Sequence, residues 1–393
     1  MIALTAARLY TPLECVERPL VLIEGQNITQ IATQDSAAIP SAARRVDFGN
    51  AVLAPGLVDI HIHGSAGYDV MSADAADLTA IERFLAGHGV TTYFPTTVTA
   101  SIDEILGALD RLACAVENAE KNHESHAGRA QPRGIHLEGP FLSHIRRGVH
   151  PPVHLLRPSL ELFERFWQAA RGHIRFMTIA PELEGARELI AEAARRGVCV
   201  SLGHTNADLE TTREAIAAGA RHATHTFNAM RPLDHREPGV IGQMLADARV
   251  SADIIADGVH LHPTIVQLFL NAKGAELSVL ITDATAATGM PDGKYRLGTL
   301  DVEVKDGRCT ADGKLAGSVL TLDHAVRNVM QFAAWELQQA LRPATLNAAR
   351  VARLTDRGKL EPGCLADMVV LSPRGEVINT IVHGAPLQAV ARI

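Results

Sequence analysis

Hydrophobic positions between residues 55 and 341 switch repeatedly between two periods. Short apolar runs rich in β-branched residues alternate with longer segments whose apolar side chains recur at three- and four-residue spacing. The runs over 57–63, 90–99, 134–142, 174–180, 198–202, 223–227, 250–255 and 277–282 read as strands. Helices are expected over 74–88, 101–120, 159–170, 184–196, 208–218, 240–246, 263–273 and 322–341. Eight strand-then-helix units imply a parallel sheet, which most simply closes into a (β/α)8 barrel of the α/β class. An open doubly wound sheet is the alternative, but Gly64-Ser65-Ala66-Gly67 lacks the glycine spacing of its first turn. Gly289, Gly293, Gly298, Gly307 and Gly313 punctuate residues 286–319, which read as a loop with a hairpin.

The two chain ends have a different texture. Residues 1–54 read as short strands, with a hairpin around Gly25-Gln26-Asn27, and 365–371 and 376–382 are strand-like again. Neither end buries much alone. They are expected to pair as one small β domain, 1–54 with 355–393, beside a larger domain over 55–354.

Composition narrows the class. With 47% hydrophobic and 4% aromatic residues, the chain can build a sizeable core from small aliphatic side chains, as α/β proteins do. A net charge of −7 and no basic patch argue against a nucleic acid partner. The five cysteines are scattered and odd in number, which suggests neither a disulfide framework nor a cysteine zinc site. No stretch reads as a signal peptide or membrane span, so a cytoplasmic location is the expectation.

The polar residues that matter lie at strand ends. In Pro55-Gly56-Leu57-Val58-Asp59-Ile60-His61-Ile62-His63-Gly64, the i and i+2 histidines share one face of a strand. A His-x-His pair is weak evidence by itself, and His260 with His262 makes another. Five of the other predicted strands, however, end in Glu138, His204, His225, Asp257 with His260, and Asp283. A (β/α)8 barrel gathers such ends at one face, where active sites sit. His, Glu and Asp together suit zinc or ferrous iron. His136 shares the face of Glu138 but lies deeper, so a structural hydrogen-bonding role is expected of it.

These residues resemble the amidohydrolase superfamily and, within it, the N-acetylglucosamine-6-phosphate deacetylases. The resemblance runs from PGLVDIHIHG through HLEGPF, LGHT, THTFNAM, HREPG, ADGVH, TDA and LAGS to EPGCLADMVVL, and so spans nearly the whole chain. It implies a (β/α)8 barrel with a small β-sandwich built from both chain ends. It also implies hydrolysis of the N-acetyl group of N-acetylglucosamine 6-phosphate, giving glucosamine 6-phosphate and acetate. By this resemblance Glu138, His204 and His225 hold the principal metal, and His61 and His63 hold a second with Glu138 bridging. One ion or two remains open, and Zn2+ or Fe2+ is expected ahead of Co2+ or Mn2+. The resemblance places His150 on the sugar and acyl group. It places Asn228, Ala229, Arg236 and His260 on the phosphate, and Leu315, Ala316, Gly317 and Ser318 over the ligand. Arg236 is expected to reach a neighbouring subunit's site in a homodimer.

The chemistry asks for such a set. An amide is a poor electrophile and water at neutral pH a poor nucleophile; a divalent metal corrects both. The amine must leave protonated, so a carboxylate has to carry a proton, and Asp283 is the candidate. The rival readings are another N-acetylhexosamine phosphate, a cyclic amide substrate of the dihydroorotase kind, and a non-catalytic scaffold. Strands three to five end without the lysine that the cyclic-amide enzymes often use, and a scaffold would not keep the whole ligand set. His88, His123, His126, His144, His154, His173, His222, His235, His262, His324 and His383 receive no role, and most are expected at the surface.

Overall fold

Val90–Thr97 shows why the barrel forms: its sequence, VTTYFPTT, is buried at every position. It is one of eight parallel strands, here called β1 (Leu57–Ile62), β2 (Val90–Thr97), β3 (Ile135–Glu138), β4 (Ile174–Ile179), β5 (Cys199–Leu202), β6 (His222–Ala223), β7 (Ala252–Ile255) and β8 (Ser278–Ile281). The computed structural model describes residues 1–122 and 128–387. Strands β1 to β6 pair in sequence order, and β7 pairs with β8. Backbone bonds close the ring. Ala223 N donates to Ser251 O and Thr226 N to Asp253 O on one side, and His63 N to Ala284 O and Asp283 N to His61 O on the other. The result is a (β/α)8 barrel, as the alternation of periods implies.

The helices α1 (Ala75–Gly87), α2 (Ile102–Lys121), α3 (Leu160–Ala169), α4 (Ala186–Arg195), α5 (Leu209–Ala218), α6 (Gly239–Ala246), α7 (Pro263–Leu277) and α8 (Leu322–Ala333) follow the strands in turn. Their starts are written locally. Asp74 with Asp77, and Ser101 with Glu104, form reciprocal capping boxes that satisfy the first free N–H groups of α1 and α2. Helix α2 buries Ile105, Ala108, Leu109, Leu112, Ala113 and Val116, the three-and-four spacing that the sequence displays.

The strands expected over 134–142 and 223–227 shorten to Ile135–Glu138 and His222–Ala223, and two further elements differ. The helix expected over 322–341 is broken: Ala334 turns left-handed at φ 55°, and a separate helix covers Leu337–Leu341. The glycine-punctuated stretch holds more than a hairpin. It forms a four-stranded antiparallel sheet of Gly293–Leu297, Leu300–Lys305, Arg308–Ala311 and Lys314–Leu315. Its glycines supply the left-handed turns at Gly298, Gly307 and Gly313.

Strands from both chain ends hydrogen-bond to one another. Met368–Leu371 pairs with Val52–Pro55, which runs directly into β1. They lie in a six-stranded sheet, which packs on a four-stranded one through Leu4, Leu9, Val21, Ile23, Met368 and Val370. Val369 and Leu371, on the opposite face, join the barrel core. The sandwich and barrel therefore share that sheet. No helix among the described residues is long and apolar enough to cross a membrane.

Candidate metal centre and active site

Strand alternation places Asp59, His61 and His63 on one face of β1, and all of them are buried. Glu138 ends β3, where Gly139-Pro140 follows and the pairing stops. His204, His225 and Asp283 follow β5, β6 and β8 with φ of 47°, 32° and 51°. Non-glycine residues rarely adopt such angles, and each costs about 1–3 kcal/mol. The cost is borne where it turns side chains inward over the barrel.

Glu138 organises the cluster. Its Oε1 lies 3.1 Å from His225 Nε2 and 3.4 Å from His204 Nε2. Its Oε2 lies 3.3 Å from His63 Nε2 and 3.5 Å from His61 Nε2. Asp283 Oδ1 closes the second group, 3.1 Å from His63 Nε2 and 3.4 Å from His61 Nε2. Two ligand groups, His61–His63–Glu138 and Glu138–His204–His225, thus share one carboxylate, and each is compact enough to hold a metal ion.

The donor set fits a cation. His63 Nδ1 donates to Thr96 O at 2.9 Å and His204 Nδ1 to Arg146 O at 3.0 Å. A carbonyl only accepts, so both Nδ1 atoms carry the proton. The neutral rings then aim Nε2 lone pairs at carboxylate oxygens, which repel them unless a proton or metal ion lies between. Carbonyls that fix the tautomer in this way are the usual support of metal-binding imidazoles. Without a metal, protons take that place. Burial pulls His63 toward its neutral form, but bonds to Asp283 and Glu138 win and hold its pKa well above the usual value. His225, also opposed by burial, is held at about 9 by Glu138. Burial pushes Asp283 up, yet His63 and His61 bring it down to about 2, so it is ionised at neutral pH.

A cavity of about 210 Å3 opens above the cluster. His63, Glu138, His150, His204, His225 and Asp283 form its polar floor. Asn228, Ala229, His260, Leu315 and Gly317 line it as well. Ala316 and Ser318 are buried beside it, and Ser318 Oγ donates to Thr282 O at 2.6 Å. A Cβ on Gly317, at φ +61°, would sit 2.9 Å from Asp283 O, so only glycine lets this segment pass so close. His150 Nδ1 is 2.9 Å from Thr99 Oγ1, which leaves Nε2 toward the cavity, 3.9 Å from Glu138 Oε2. Arg236 is exposed on its loop and does not line the cavity of its own chain.

His136 has the supporting role expected of it, with Nδ1 3.0 Å from Ile60 O and Nε2 2.8 Å from Thr178 Oγ1. Among the described residues, His144, His235, His262 and His324 are exposed as expected, whereas His222 and His383 are buried and His88, His154 and His173 are half-buried. His123 and His126 lie outside the described residues. Sequence reasoning missed Asp59, although it continues the two-residue alternation of His61 and His63. It also missed Val98, Ile255 and Leu297 in the cavity wall and Asp253 beneath it. Nothing local marks these apart from ordinary core residues.

The amidohydrolase family model matches residues 52–387. The N-acetylglucosamine-6-phosphate deacetylase of Bacillus subtilis (strain 168) is 39% identical over 338 residues, 85% of this chain and 84% of that protein. The N-acetylgalactosamine-6-phosphate deacetylase of Escherichia coli O157:H7 is 38% identical over 323 residues, covering 81% and 83%. The mycobacterial (Mycobacterium smegmatis) N-acetyl-D-glucosamine-6-phosphate deacetylase, solved as a mutant in complex with N-acetyl-D-glucosamine-6-phosphate, superposes with a TM-score of 0.91 at 35% identity. Each chain is covered over 99% of its length. With that coverage, and with its histidines and carboxylates gathered at the C-terminal ends of the barrel strands, the chain belongs to the amidohydrolase family, in the branch of the N-acetylglucosamine-6-phosphate deacetylases.

Proposed function

We propose that this chain hydrolyses the N-acetyl group of N-acetylglucosamine 6-phosphate in a metal-dependent reaction, releasing acetate and glucosamine 6-phosphate. The observation that carries the reading is Glu138, which turns one oxygen to His204 and His225 and the other to His61 and His63. The names of the relatives from B. subtilis and M. smegmatis support the substrate.

In this reading Glu138, His204 and His225 hold the principal ion, and His61 and His63 with Glu138 hold a second. Zinc or ferrous iron suits these ligands, with Co2+ or Mn2+ as substitutes. Such an ion, when bound, activates water and polarises the amide carbonyl. Asp283 accepts the proton of the attacking water and delivers it to the departing amine. Its ionised state and its place on the cavity floor support that assignment. His150, held by Thr99, orients the acyl group and sugar through Nε2. Asn228, the backbone at Ala229 and His260 hold the phosphate, and the 315–318 segment covers the ligand and excludes water. Arg236 reaches the phosphate of a second subunit in a homodimer.

The division into a sandwich domain, 1–54 with 355–393, and a catalytic barrel over 55–354 belongs to the same proposal. So does a cytoplasmic location, favoured by five cysteines that all stay free.

Acetate release from N-acetylglucosamine 6-phosphate, with metal content determined on the same sample, tests the reading. No release from fully metallated protein would overturn it. The E. coli relative favours a second reading, the galacto epimer, so both sugar phosphates belong in the assay.

A further inference from the structure

His225, like His61, is held differently from His63 and His204. His63 and His204 are tethered through Nδ1 to backbone carbonyls, whereas His225 Nδ1 is buried without a hydrogen-bond partner. Its grip is on the backbone instead. The Asp253 carboxylate, fully buried in β7, accepts the His225 N–H through Oδ1, and the Asp253 carbonyl accepts the Thr226 N–H at 2.9 Å. One residue therefore clasps two successive amides at the point where the chain turns left-handed.

Asp253 is itself held. Its Oδ2 lies 2.8 Å from His222 Nε2, and His222 Nδ1 lies 2.7 Å from Ser251 Oγ. A carboxylate only accepts, so His222 donates from Nε2. Ser251 either donates to Nδ1, or accepts from it while donating to Arg221 O at 3.2 Å. Both arrangements keep the Nε2 hydrogen on Asp253. A buried polar pair is a poor way to gain stability, because apolar side chains of the same shape fill such space about as well. This pair makes sense where its remaining oxygen meets the amide of His225.

We infer that His222 and Asp253 are positioning residues that aim the His225 imidazole at Glu138 and at the metal ion the two would share. The inference rests on the reading of His225 as a metal ligand. Neither residue lines the cavity, so they act through His225 and not on substrate.

The test is a competition titration of apoprotein with Zn2+ against a chromophoric chelator, with the visible spectrum of the Co2+-loaded protein as the report on ligand geometry. Removing an outer partner of a metal ligand typically weakens binding about 10–100-fold, and D253A is expected in that range with shifted cobalt bands. D253N should stay near the wild type. Its amide oxygen still accepts from His225, and its NH2 can donate to His222 once that ring carries its proton on Nδ1. H222F should weaken binding, because Asp253 loses the partner that aims it. Should D253A fail to fold, H222F decides. Folded D253A or H222F with unchanged Zn2+ affinity and an unchanged cobalt spectrum would overturn the inference, even with a lowered melting temperature. H225A separates the two readings: wild-type Zn2+ affinity there would remove His225 as a ligand, whereas its loss beside an unaffected D253A would sink only the positioning role.

Discussion

Asp59 Oδ2 accepts the hydroxyl of Thr282 at 2.6 Å, across 223 residues of chain. The other oxygen of Asp59 takes the N–H groups of His61 at 3.3 Å and Thr282 at 3.4 Å. One buried carboxylate thereby ties the first barrel strand to the last, where His61 and Asp283 emerge. Replacing it with alanine leaves Thr282 Oγ1 without its closest acceptor, and an unsatisfied buried donor costs about 1–3 kcal/mol. D59A should lose that much stability in urea denaturation. A wild-type midpoint and slope would show that the tie contributes nothing.

Asp283 is the proposed proton carrier. D283N keeps the shape and one acceptor oxygen but cannot take a proton at neutral pH. It should retain metal and lose kcat by about 10²–10⁴-fold, the usual share of general acid–base catalysis. Near-normal turnover in a metal-loaded sample would remove Asp283 from that role.

Arg236 stands outside its own chain's cavity, on an exposed loop. If it serves a partner's phosphate, R236A should raise KM for N-acetylglucosamine 6-phosphate far more than for N-acetylglucosamine. Sedimentation should find a dimer. Equal effects on the two sugars, or a fully active monomer, would dismiss the assignment.

Glu82, away from the site, sets a pH dependence. Burial pushes its pKa up to about 7, although Arg129 at 3.3 Å and Tyr93 at 3.4 Å pull it back in part. In the unfolded chain a glutamate titrates near 4.3. Between those values the folded state holds more protons, so this residue's contribution is fullest below about pH 4 and is lost as pH rises through about 7. The span corresponds to roughly 4 kcal/mol at most. Urea titrations at pH 5 and 8 should show the wild type losing stability relative to E82Q over that interval. A constant difference would mean that Glu82 stays ionised throughout.

Chelation should abolish activity and lower the melting temperature, because the stabilisation that metal binding adds to the folded state is withdrawn. Zn2+ at about 100 times its Kd should restore roughly 2.7 kcal/mol of stability by mass action. A chelated protein with full activity would exclude a metal-dependent reaction.

Much of this architecture is legible in local patterns. The change between two-residue and four-residue periods marks strands and helices, because each period places apolar side chains on the one face that a neighbouring layer covers. The same periodicity puts His61 and His63 on one face. The rule that barrel strands present their C-terminal ends together gathers Glu138, His204, His225 and Asp283 before any coordinate is known. The break at Ala334 was not legible, since alanine has no local preference for a left-handed turn, and 286–319 showed its turns more plainly than the pairing of its strands.

The sequence alone determined the order of elements and the barrel, because these follow from periodicity along the chain, and it marked histidines and carboxylates at the ends of the predicted strands. Only the tertiary structure decided that Glu138 divides its two oxygens between two histidine pairs. Only it decided that His222 lies in the interior on Asp253, and that Asp59 reaches Thr282. Each of these joins residues remote in sequence. Their distances are set by how the strands pack around the barrel, and no stretch of chain shorter than the barrel carries that information.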